Sequence, residues 1–138
     1  MVKVKGLIIT LLLLANCTTA KKEVTKVEQL SCQEQVRSSI ELADAARTQI
    51  LKRVDLLTPP TLLLLQYDSI IELLEDQIND TQVYIDEANK ILQQPCVSSD
   101  LKDQLKEVID FVSTLNSNYK ESLIRVKSAK KAQSEQTI

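Results

Sequence analysis

Between Leu62 and Gln94 the apolar residues Leu64, Tyr67, Ile71, Leu74, Ile78, Ile85, Ala88 and Leu92 follow one another in steps of three and four, with Thr81 in the single polar slot. That spacing places them on one stripe of a helix and is incompatible with the two-residue alternation of a half-buried strand. Leu63, Ile70, Tyr84 and Ile91 recur at multiples of seven beside the stripe. A face this wide predicts a helix with a neighbour on each side.

Two flanking stretches supply those neighbours. Val36, Ile40, Ala43, Ile50, Val54 and Leu57 keep the same rhythm, with Arg47 in an apolar slot. So do Leu101, Leu105, Val108, Val112, Leu115, Tyr119, Val126 and Ala129, with Ser122 as the polar slot. Ser31 to Glu34 has the form of a capping box and marks the start of the first helix. Thr58-Pro59-Pro60-Thr61 ends that helix, and Thr58 can cap the second with Pro59 at its first position. Pro95 closes the second, and Ser98, Ser99 or Asp100 can cap the third. Short connections make successive helices antiparallel. The expected fold is therefore all-α: an antiparallel bundle of three long helices with coiled-coil-like seams over 31–132, and a flexible tail over 133–138.

The composition agrees. A hydrophobic fraction of 43% supports a core, and the one glycine, Gly6, lies outside the helical region. Without glycine, tight hairpins and phosphate-cradling loops have no cheap route to positive φ. Histidine is absent, which removes the commonest general base and metal ligand.

The chain opens with Lys3 and Lys5 ahead of an apolar run from Leu7 to Ala15. A basic start before a short apolar segment describes a secretory signal over 1–20. Two processing readings stand. Small residues at Thr18 and Ala20 predict a mature start at Lys21, followed by a linker or frayed helical extension over 21–30. Alternatively, Leu14-Ala15-Asn16-Cys17 resembles a bacterial lipobox, apart from Asn16 in place of the usual Gly or Ala, and Cys17 becomes the lipidated N-terminus. Cleavage after Ala20 leaves fifteen basic and nineteen acidic residues, a net charge of −4.

Export gives the remaining cysteines a meaning. Cys32 and Cys96 form an even pair, which in an oxidising compartment predicts a disulfide. The antiparallel topology brings both to the same end of the bundle. Counted from the prolines, however, Cys96 lies about ten residues beyond Cys32, roughly 15 Å of helix rise, and a disulfide needs Cα atoms within about 7 Å. A shorter or bent second helix, a folded-back 95–99 connection, or an intermolecular bridge would each resolve this. Asn79-Asp80-Thr81 matches the acceptor pattern for N-glycosylation.

Few residues point to chemistry. A thiol nucleophile lacks a histidine to activate it, and a narrow bundle offers no cleft for paired carboxylates. Neither an enzyme nor a cofactor is expected. Asp68, Glu72, Asp76 and Asp80 form an acidic row at four-residue spacing. It reads as a solvated face partly neutralised by Lys52, Arg53, Arg125, Lys127 and Lys130, because a carboxylate metal bundle normally adds histidine. Arg47 reads as a side chain that snorkels or meets an acid from another helix. An acidic chain with only a small basic cluster, Lys120 to Lys131, is a poor nucleic-acid binder.

The strongest interaction signal is Leu62-Leu63-Leu64-Leu65, which cannot all face one stripe. Some of these leucines are expected to cap the end of the bundle and others to form an exposed patch beside rigid prolines, a mark of partner or lipid contacts, with Leu62, Leu63 and Leu65 the expected contact residues. The function expected is a small secreted, non-enzymatic helical protein acting on an extracellular protein as effector or inhibitor. Two alternatives stand beside it: a lipoprotein that meets the membrane only through Cys17, and a carrier of a small apolar ligand. A homodimer is credible through Leu42, Leu56, Ile109 and Leu123, which lie off the main seams.

Overall fold

The computed structural model describes residues 26–63 and 65–137. The signal expected over 1–20, with Cys17, the cleavage point expected at Lys21, and Leu64 lie outside the described residues. Helix α1 spans Lys26–Val54 and runs into a 3-10 turn at Asp55–Leu57. A one-turn helix α2 covers Pro59–Leu62. Helix α3 spans Tyr67–Leu92 and helix α4 spans Ser99–Gln136. No strand occurs among the described residues.

Helix α3 packs against both α1 and α4. Cys32 lies beside Cys96, Ile50 beside Gln77, and Arg53 beside Asp76 and Asp80, so α1 and α3 run antiparallel. Asn116 reaches Ile78 and Thr81, Lys127 reaches Glu75, and Lys130 reaches Asp68, so α3 and α4 are antiparallel too. These pairings make α1 and α4 parallel.

Several boundaries differ from those read in the sequence. Helix α1 already runs through Ser31, so the Ser31–Glu34 capping box does not open it. The second long helix begins at Tyr67 rather than Leu62 and stops at Leu92 rather than Gln94. The cause is the run of four leucines. A helix continued through them would carry apolar side chains out on every face. The chain instead turns extended at Gln66 (ψ 156°), leaving Leu62 and Leu65 half-buried. Thr58 does precede Pro59 at a helix start, but the helix it opens is only Pro59–Leu62. Ser98 caps α4 by accepting from the Leu101 amide at 3.4 Å. Helix α4 continues through 133–136, and its last turns are fully exposed.

The disulfide follows from this register. Cys32 and Cys96 are bonded, with Cα atoms 6.2 Å apart. The end of α1 sits beside Asp76 and Asp80 rather than at the start of α3. Residues 67–75 therefore project past α1, and nine residues of helix are roughly 14 Å. That overhang absorbs the offset between the cysteines without a bend in α3 or an intermolecular bond.

The core is confined to the disulfide end. Cys32, Val36, Ile40, Ala43, Ala46 and Ile50 of α1 meet Tyr84, Ala88 and Ile91 of α3 and Leu101, Leu105, Val108, Ile109 and Val112 of α4. The deepest line on α3 is Leu74, Gln77, Thr81, Tyr84, Ala88 and Ile91. It lies between the main stripe and its flanking set, because α3 is covered from two sides. Ile109, read from sequence as a spare surface position, belongs to the core at 9% exposure.

Candidate interaction site

A polar layer closes the core at its inner boundary. Gln77 and Thr81 are fully buried and Asn116 nearly so. The Gln77 amide Nε2 donates to the Ile50 carbonyl at 2.9 Å and to the Tyr119 hydroxyl at 3.4 Å. The Asn116 amide Nδ2 donates to Thr81 Oγ1 at 2.7 Å and to the Ile78 carbonyl at 3.0 Å. Thr81 in turn donates to the Gln77 carbonyl at 2.8 Å. All three long helices are thus tied at one level by groups that would each cost about 1–3 kcal/mol if left unpaired. The sequence signal for this layer was Thr81, visible as a polar slot. Gln77 and Asn116 were missed, although each stands three or four residues from seam residues on either side.

Three buried polar atoms have no partner among the described residues: Gln77 Oε1, Tyr84 Oη and Arg47 Nε. Burial pushes the Tyr84 hydroxyl up to about 12, against a lowering by nearby Arg47 and a further raising by Asp44. Arg47 itself pairs with Asp44 at 3.3 Å, an acid on its own helix rather than on a neighbour. The acidic row is neutralised in part: three of its four carboxylates are paired among the described residues, and the Arg53–Asp80 pair is largely shielded from solvent. Arg53 bridges Asp76 and Asp80, and Lys130 meets Asp68. Lys127 pairs with Glu75, outside the row, and Arg125 with Glu121 on its own helix. No group of three or more potential metal ligands is found among the described residues.

The leucine corner divides. Leu63 is 87% exposed, the most exposed of the large apolar residues described, while Leu62 and Leu65 are half-buried. Leu56, at 43% exposure, lies in the same connection. Leu42, Phe111 and Ile124 are exposed on the long helices. Nearby, Leu65, Gln66, Tyr67 and Asp68 line a shallow concavity of about 530 Å³ with Lys130 and Gln133 of α4.

The glycosylation motif is split by the fold. Asn79 points to solvent, but Thr81, whose hydroxyl completes the acceptor pattern, is fully buried and hydrogen-bonded. No family model, curated protein or solved structure matches this chain. No helix among the described residues is long and apolar enough to cross a membrane. The Cys32–Cys96 bond points to an oxidising compartment.

Proposed function

We propose that this chain is a secreted, non-enzymatic helical protein that acts by contact with another extracellular protein, as an effector or inhibitor. The observation that carries the reading is Leu63. It is a large apolar side chain, 87% exposed, on a corner stiffened by Pro59 and Pro60 at the end remote from the disulfide. An apolar anchor presented on a rigid turn loses little freedom when it enters a partner's pocket, and such anchors dominate binding energy. The bridge supports export, and the leader supplies the route.

The test has two arms. Intact mass spectrometry of exported protein, before and after reduction, should give an N-terminus near Lys21 and no free thiol. A mass retaining Cys17 with acyl chains would replace secretion with a lipid-anchored protein. A glycan on Asn79 would have to be added before folding, since the folded chain hides Thr81. Leu63→Asp should then abolish saturable binding of labelled protein to its target cells while the thermal melt stays unchanged. Undiminished binding would remove the Leu63 corner as the contact.

A further inference from the structure

Helix α3 carries a second apolar line beside the one in the core. Ile71, Ile78, Ile85 and Leu92 recur every seven residues, and all four are only half-buried. Asp76 and Asp80, two residues to either side of Ile78, hold Arg53 of α1. Two residues are about 200° of helix rotation, so this line lies on the flank of α3 turned away from α1. Asn116 and Lys127 of α4 reach Ile78 and Glu75, so α4 borders it. The line follows the floor of the outer α3–α4 groove, and no other described helix packs on that side. Seven-residue recurrence is the pattern of a seam that receives side chains from another helix.

The two margins of the groove differ in charge. On α3, Asp68, Glu75, Gln82 and Asn89 repeat at the same interval just outside the apolar line. On α4, Lys106, Ser113, Lys120 and Lys127 do the same. Toward the proline end, Asp68 and Glu75 stand on one margin and Lys120 and Lys127 on the other, all exposed. The pairs Lys127–Glu75 and Lys130–Asp68 tie the margins together within the chain. Both carboxylates stay more than half exposed, and each keeps acceptor sites for a further cation. Helix α3 has 26 residues, roughly 39 Å, and two packed helices are about 20 Å across. The face is therefore on the order of 800 Å², the amount each partner contributes to a specific interface.

We propose that this groove is the interface of a homodimer whose two-fold axis runs parallel to the helices. That axis lays α3 of each copy on α4 of the other at the same level. The isoleucine lines then cover each other, and each acidic margin meets a lysine margin in both halves of the interface. A two-fold axis across the helices would lay α3 on α3 and α4 on α4, and acid would not meet base. Of the off-seam positions that made a dimer credible, Ile109 is core, and Leu42 and Leu56 lie outside α3 and α4. The helix-parallel axis also brings both proline ends to one end of the dimer. Two Leu63 corners then face the same way, which favours a paired or membrane-held target through avidity. That consequence rests on the partner-binding reading, whereas the pairing itself does not.

Sedimentation equilibrium of the exported, oxidised chain tests the pairing. The mass should be that of two chains across the micromolar range. Lys120→Glu and Glu75→Lys change exposed side chains and leave the core alone. Each should weaken the dimer by about tenfold, with an unchanged helical signal in circular dichroism. Mixing the two variants should restore the affinity in a mixed dimer, because acid then faces base in both halves again. Leu63→Asp should leave the mass unchanged, which separates failure of the corner from failure of the groove. A single-chain mass throughout, or a dimer indifferent to both charge reversals, would overturn the interface. Weakening by both variants without recovery on mixing would overturn the helix-parallel axis.

Discussion

The two ends of the bundle are built from similar residues and held in different ways. At the disulfide end three helices run side by side, and Leu105 and Ile91 are each only 1% exposed. At the proline end α1 has stopped, and the apolar residues are shared among α3, α4 and a loosely bound connection. There Leu57, Leu62, Leu65, Tyr67, Ile70, Ile71, Leu123 and Val126 are all half-buried. The Gln77–Thr81–Asn116 layer marks the border. Apolar content does not separate the ends. The number of helices present at each level does, because a third helix is what excludes water from a seam between two.

The largest test of that contrast is the bridge. Replacing Cys32 and Cys96 by alanine should cost about 4 kcal/mol, since the pair closes a long loop in the unfolded chain, and a urea titration of oxidised and reduced protein reads it. Loss well below this would mean that core packing alone fixes the closed end. Next, Leu105→Ala should cost about 3 kcal/mol, whereas Leu65→Ala should cost about 1 kcal/mol or less, because its methyl groups already meet water. Equal losses at the two sites would erase the distinction between the ends.

The border itself comes next. Asn116→Ala removes both N–H groups that reach Thr81 and Ile78, and should cost about 2 kcal/mol by deleting two hydrogen bonds in the buried layer. Thermal melts against Ser117→Ala, an exposed neighbour, provide the control.

The smallest effect at neutral pH is expected from Tyr84→Phe, because the Tyr84 hydroxyl has no partner among the described residues. Its pH dependence carries more information. The folded-state pKa stands at about 12 against 10.0 for a free tyrosine. Above pH 10 the unfolded chain therefore binds fewer protons than the folded one. The contribution is intact below pH 10 and is lost as pH rises from 10.0 through about 12. Two pKa units correspond to a loss on the order of 3 kcal/mol. Tyr84→Phe should flatten that alkaline decline in denaturation midpoints, and an unchanged decline would show that burial of Tyr84 is not its source.

Much of the fold was legible in residue spacing. The stripes Val36–Ile40–Ala43–Ile50 and Leu101–Leu105–Val108–Val112 are the buried faces of α1 and α4. Ser98 closes the second connection as expected, although α3 stops at Leu92, before Pro95 is reached. The leucine corner was legible in part, since four consecutive apolar residues had to split between inside and outside. Which one would be outermost was not legible, nor was the unwinding of the helix through them. That outcome depends on where α1 stops relative to α3, a relation between segments distant in sequence. The polar layer escaped for the same reason. A single glutamine or asparagine beside a seam looks like surface until a third helix covers it.

The sequence by itself determined that this chain makes amphipathic helices, where prolines and the serine cap interrupt them, and that two cysteines fall at the same end. Those are local properties, fixed by side-chain period and backbone sterics. Only the tertiary structure decided the sliding of α1 along α3 that brings Cys32 to Cys96, the burial of Gln77 and Asn116, and the confinement of the core to one end. Register between helices depends on the summed fit of many side chains at once, and no single stretch of the chain contains that sum.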